Sequence, residues 1–302
     1  MFKHLLVPLD GSQMAESVLP SAAFFALRLK ATVTLLHVIE EHAPSKVHGE
    51  THMTTSEMAM HYLNGVSRHA FPKNVKIRCH VHTAPVKKVA KSIIAHEEEF
   101  NHDLILMCTH GHGPAHRLFF ASIAQQVMEM GTKPVLIVHP RKRKHPDPFT
   151  CRTILVPLDD NPEHETAIRT AEALAFAFSA SLHLLTVVRP SSSVSGKWEA
   201  IGRFLPGTLL KMFEMVVQNA EDRLTVFKSQ LKKAGIHSVT HVRKGDPSRM
   251  IVDTAQKTPA DLMVLGTHGR SGMNAFWSGS VVNRVCSLSR IPLLLVPVER
   301  KP

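Results

Sequence analysis

The chain of 302 residues contains only four cysteines, Cys79, Cys108, Cys151 and Cys286, and no two of them form a C-x-x-C pair. Buried, reduced thiols are the expected reading, against a redox role. No apolar run reaches the ~18 residues that a membrane-spanning helix needs. The N-terminal residues lack a long apolar stretch and a small-residue cleavage site, so no signal peptide is expected and the location is read as cytoplasmic. No G-x4-G-K-[ST] occurs, which excludes a Walker-type nucleotide site with its lysine and magnesium-binding hydroxyl. Neither first strand is followed by G-x-G-x-x-G, which argues against a dinucleotide oxidoreductase. The nucleophile elbow G-x-S-x-G is missing too, and no matched nucleophile, base and orienting acid can be placed.

What the chain does have is positive charge, a formal +11 and a pI near 9.7. The charge is dispersed. Its densest run, Arg141-Lys142-Arg143-Lys144, lies in the proline-bearing stretch PRKRKHPDPFT. No nucleic-acid-binding motif accompanies it, so it is read as a solvated linker rather than a nucleic-acid surface.

The strongest signal is internal repetition. KHLLVPLD at 3–10 returns as RTILVPLD at 152–159, DLILMCTH at 103–110 as DLMVLGTH at 261–268, and PVLIV at 134–138 as PLLLV at 292–296. The offset is 149 residues at the first pair and 158 at the others, so two copies of one domain are present, with about nine extra residues in the second. The expected organisation is a domain at 1–140, a basic Pro-rich linker at 141–150 and a second domain at 151–302.

Apolar runs without polar alternation mark strands buried on both faces, as in a parallel sheet covered by helices. Strands are expected near 3–9, 32–39, 75–81, 103–108 and 134–138, and near 152–158, 181–188, 238–243, 261–266 and 292–296. Helices are expected at 13–29, 163–178 and 206–233. This order predicts an α/β fold of two tandem doubly wound, Rossmann-like domains, each of about five strands. The Ser-rich segment 189–204 is expected to be mobile, and it sits where a lid could form, with ordinary loop variability as the expected reading.

After the fourth strand of the second copy comes Gly266-Thr-His268-Gly269-Arg270, continuing to Gly279-Ser280, in the pattern G-x2-G-x9-G-S. Glycines let backbone approach a phosphate closely. Gly279-Ser280 opens the next helix, whose N-terminus offers free N–H groups and a positive dipole end to an anion. Arg270 would add charge, and His268 is a candidate phosphate contact. In open α/β sheets, ligands bind at this carboxyl edge.

With the VPLD strand, the DLMVLGTHG stretch and the glycine motif before PLLLVPV, the chain resembles the universal stress protein family, as a tandem member. The resemblance covers nearly the whole chain. It implies a five-stranded parallel sheet in each copy and, in the family's ATP-binding branch, phosphates and ribose held by the glycine motif. Carried over to the second copy, it implies a nucleotide site made by Pro157, Asp159, Val187 or Val188, Gly266, Gly269, Gly279, Ser280 and Val281, taking ATP with or without Mg²⁺. Asp160-Asn161-Pro162 stands where the family often has Gly-Ser. Asp159 has an alternative role as a turn cap.

The first copy keeps Pro8, Asp10, Gly11, Ser12 and Val38 but has Cys108 and Ala121 in place of the first and third motif glycines. A side chain at either place would crowd a phosphate, so this copy is expected to bind ATP poorly or not at all. The resemblance also implies that 134–138 and 292–296 could pair within one chain as an intramolecular pseudo-dimer, with further homodimerisation and an unidentified protein partner left open. Three functional readings follow. One is a stress-response regulator that binds ATP in the second domain. Another is a slow ATPase at the same site, with Asp159 helping to hold Mg²⁺. A third is a binder of an apolar ligand or zinc in the first domain.

Histidine is abundant, at 21 residues. His80 and His82 lie two apart on a predicted strand and so share a face. His110, His112 and His116 cluster in the first-copy loop. Solvated or hydrogen-bonded histidines are the expected role, against metal ligation. Met53, Met58, Met60 and Met107, with Phe119 and Phe120, are read as core packing rather than as an apolar pocket.

Overall fold

A computed structural model of the chain describes residues 1–41, 46–47, 50–51, 53–109, 123–140, 148–159, 165–189, 206–268 and 281–298. The first repeat runs β1 (His4–Pro8), α1 (Gln13–Glu16), α2 (Leu19–Leu29), β2 (Thr32–Glu40), β3 (Lys46–Val47), β4 (Glu50–Thr51), α3 (Ser56–Ala70), β5 (Ile77–Val86), α4 (Val89–Glu99), β6 (Leu104–Cys108), α5 (Ile123–Met130) and β7 (Val135–Val138). The second runs β8 (Thr153–Leu158), α6 (Glu165–Phe178), β9 (Ser181–Val188), α7 (Pro206–Lys233), β10 (Ser238–Lys244), α8 (Pro247–Lys257), β11 (Leu262–His268), α9 (Val281–Leu288) and β12 (Leu293–Val298).

The predicted strands form, β5 running on to Val86 beyond its expected end at 81, and the short β3–β4 pair was not predicted. All four residues of β7 and seven of the nine in β2 are buried, as two-sided covering by helices requires. The helix expected at 13–29 is two helices. Pro20 sits in the first turn of α2, and in a continuous helix its ring would clash with the carbonyl of Glu16, so the chain restarts at Leu19. Lys30, left-handed at φ 53°, then ends α2, and the N–H of Ala31 donates to Ala26 O at 2.9 Å. The helix expected at 206–233 forms over those residues.

Contacts divide the chain into two units. The first holds residues 1–150 and, from the C-terminal part, β12; the second holds 151–266 and α9. In the first unit five parallel strands run in the order β5-β2-β1-β6-β7. Strand order reverses between β1 and β6, which makes a switch point at their carboxyl ends. β12 closes the β7 edge antiparallel, with Leu293 opposite Ile137 and Leu295 opposite Val135. The final strand of the second sequence copy thus completes the sheet edge of the first unit, where an open apolar strand would invite aggregation. In the second unit the order is β10-β9-β8-β11, again parallel and again reversing beside its first strand.

An acidic clamp recurs in both units. Asp103 accepts from the backbone N–H of Lys3 (2.6 Å) and of His4 (3.0 Å). Asp261 accepts from the N–H of Arg152 (2.7 Å) and of Thr153 (3.0 Å). Each aspartate ties the entry of the repeat's fourth strand to that of its first. In the first unit, Phe149 from the linker packs edge-on to Phe24 of α2, with centroids 5.2 Å apart.

Candidate functional site

In the second unit, Pro157 pairs with Leu185 and Leu158 with Thr186. Counted in that register, Asp159 and Val187 stand side by side at the carboxyl edge. β8 also pairs with β11, Ile154 with Leu262 and Leu155 with Met263, and the same register puts Gly266 at the level of Leu158. Pro157, Asp159, Val187, Val188 and Gly266 therefore share one end of the sheet, on either side of the switch point. Val281 is the first residue of α9. His268 ends β11, and only its backbone is described. Gly269, Arg270, Gly279 and Ser280 lie outside the described residues, as do the segment 190–205 and the first-copy loop 110–122 with His110, His112, His116, Phe119 and Phe120.

One part of this edge escaped the sequence reading. Val188 O accepts from the N–H of Gly245 at 3.1 Å, and Gly245 has φ +145°, a backbone that side-chain-bearing residues rarely adopt. Asp246 follows as the N-cap of α8, accepting from Arg249 N at 3.0 Å and from Arg284 Nη1 at 2.9 Å. The Arg249 N–H bond first, and then Arg284, hold its carboxyl below the usual range. The triplet Gly245-Asp246-Pro247 was a readable signal, being a turn glycine, a cap and a proline at the first helical position.

The corresponding edge of the first unit is filled differently. Asp10 Oδ1 accepts from Ser12 N at 2.9 Å and from Ser12 Oγ at 2.7 Å, and Ser12 Oγ caps α1 by accepting from Ala15 N at 3.1 Å. Gly11 has φ +91°, and a Cβ built on it would stand 2.6 Å from Met53 Cε. Met53 and Met107 are buried, whereas Met58 and Met60 are exposed, so the methionine set is divided between core and surface. Cys108, where the second copy has Gly266, is mostly covered. Burial and, secondarily, the Asp10 carboxylate push its thiol up to about 12. His37 Nδ1 donates to Leu9 O at 2.8 Å, and Thr109 Oγ1 lies 3.0 Å from His139 Nδ1.

All four cysteines are free thiols. Among the described residues, no group of three or more His, Cys, Asp or Glu is arranged to hold a metal ion, and no helix is long and apolar enough to cross a membrane.

Two doubly wound units, each reversing its strand order beside its first strand, define the class of Rossmann-like α/β proteins. The sequence profile of the universal stress protein family matches the chain twice, at residues 1–139 and 150–297. The chain belongs to that family. Universal stress protein E of Escherichia coli is 24% identical to it over 99% of this chain and 95% of that protein. A universal stress protein of Methanocaldococcus jannaschii is 29% identical over 50% of this chain and 84% of its own length. Among solved structures, a universal stress protein from Archaeoglobus fulgidus superposes with a TM-score of 0.66 at 16% identity, covering 98% of this chain and 96% of that one, a likeness of fold.

Proposed function

We propose that this protein is a cytoplasmic stress-response regulator that binds ATP, with or without Mg²⁺, at the carboxyl edge of its second repeat. The supporting observation is a difference between equivalent positions. Gly266 lies two residues before the end of β11 at the switch point and begins the G-x2-G-x9-G-S pattern that runs to Val281 at the start of α9, whereas the first repeat places the covered Cys108 side chain there. In this reading Gly266, Gly269, Gly279 and Ser280 cradle the phosphates, Arg270 and His268 add donors, and Asp159 with Val187 or Val188 holds the nucleoside.

Photo-crosslinking with an azido-ATP, mapped by peptide mass spectrometry, tests the assignment. Label is expected in peptides spanning 152–188 and 262–285 and not in 1–140. Equal labelling of the two repeats would overturn it. In this reading nucleotide binding is coupled to segment 189–204 and so signals to a partner. Limited proteolysis at Ser191–Gly196 that is unchanged by saturating ATP would refute that coupling. The slow-ATPase reading shares the site, and any hydrolysis that survives Gly279→Val would not belong to it.

A further inference from the structure

The histidines of the third strand in each repeat do not stand alone. In the first unit His80 Nε2 lies 3.0 Å from His96 Nε2 of α4, and His82 meets the same His96 ring edge-on, with centroids 4.9 Å apart. His96 Nδ1 donates to Ser92 O at 2.8 Å, which fixes its tautomer and leaves Nε2 as an acceptor for the His80 N–H. Phe100 covers both rings, and His102 Nδ1 donates to His96 O at 3.2 Å. In the second unit His241, at the position equivalent to His80, lies with Nε2 3.0 Å from His183 Nδ1 of the neighbouring strand. Each contact requires one imidazole to supply a lone pair. Two imidazolium rings would turn N–H against N–H at the same distance.

We propose that the His80–His96 contact is an acid-release clasp that holds α4 against β5, survives one proton because an imidazolium still donates to the other ring's lone pair, and opens when both rings of the pair are imidazolium, and that His183–His241 repeats the device in the second unit. The surrounding charges are few. Those acting on His80 are His96, Glu99 and His82; those on His82 are His96 and Glu99; those on His102 are His4, Asp103 and His96. β2 faces the two β5 histidines with Leu36 and Val38, which cannot titrate. From α3, which also packs on β5, none of Glu57, His61, Arg68 and His69 is among the charges acting on His80 or His82. In the second unit His237 acts on His183, and His183 with Arg243 acts on His241. Burial first, then the neighbouring cations, keeps His80, His82, His183 and His241 below the ordinary histidine range, while Glu99 opposes this at His80 and His82. The unfolded chain thus takes up more protons in acid. The contribution to stability is complete above about pH 6.5 and is lost as the pH falls below it.

The test is hydrogen exchange of the full chain at pH 7.5 and 5.5, read as protection factors for residues 89–99 with α2 as internal control. Protection of 89–99 is expected to fall by about tenfold or more relative to α2. His80→Gln keeps a donor for His96 but takes up no proton, and its protection is expected to change much less. Equal behaviour of 89–99 and α2 in the wild type, or equal acid sensitivity of His80→Gln, would overturn the clasp. A proton NMR titration of the wild type gives a check without any variant. At least two rings must titrate below the ordinary histidine value, and a full set at or above it would contradict the proposal.

Discussion

Asp10 Oδ1 accepts two hydrogen bonds from Ser12, one from its backbone N–H at 2.9 Å and one from its hydroxyl at 2.7 Å. The first repeat's strand-end aspartate is thereby committed to its own turn, with Ser12 passing the support on to Ala15 N at 3.1 Å. Ser12→Ala should destabilise the first unit by about 1 kcal/mol, the ordinary loss of a helix cap, and leave ATP affinity unchanged. Urea denaturation and a binding isotherm on the same preparation check both halves. A large loss of ATP affinity would place the nucleotide in the wrong repeat.

Gly11→Ala meets two obstacles, a φ of +91° and the Met53 methyl 2.6 Å from the new carbon. The backbone part alone costs about 1–2 kcal/mol. Met53→Ala removes the contact but not the strain, so the double variant should lose less than the sum of the single losses. Strict additivity in a double-mutant cycle would show that the two residues do not touch.

Asp103 and Asp261 hold equivalent clamps, so Asp103→Ala and Asp261→Ala should each lower stability by about 1 kcal/mol through loss of two hydrogen bonds to a carboxylate. Because the two clamps lie in separate units, their effects should add in the combined variant. A loss under about 0.5 kcal/mol from both would mean that water replaces the carboxylates freely.

Thiol reactivity should rank by burial. Burial pushes the Cys286 and Cys108 thiols up to about 12, Cys151 rises as well, and Cys79, the least covered of the raised thiols, should react first. Alkylation of the native protein near pH 8, followed by peptide mass spectrometry, should label Cys79 well before Cys151 and Cys286. Four thiols reacting at one rate would contradict the packing.

The strands were legible because two-sided burial leaves uninterrupted apolar runs such as HLLVPL and TILVPL, and the repeat confirmed each one twice. The break before α2 was visible in Pro20, yet the apolar spacing of 13–29 outweighed it. That His80 and His82 share a face followed from strand period. Their meeting with His96 did not, because it depends on how α4 settles across β5. The turn at Gly245-Asp246 is written in the glycine, aspartate and proline of 245–247, a shorter signal than the G-x2-G-x9-G-S motif. The placement of β12 beside β7 is a long-range antiparallel pairing that no local pattern encodes, and only the family resemblance pointed to it.

Isothermal titration of ATP into nucleotide-stripped protein with Mg²⁺, run beside Gly279→Val, tests the central claim most directly. One site per chain, lost in the variant because a branched side chain enters the phosphate loop, is the predicted result. No binding by the wild type, or binding that Gly279→Val leaves intact, would contradict it.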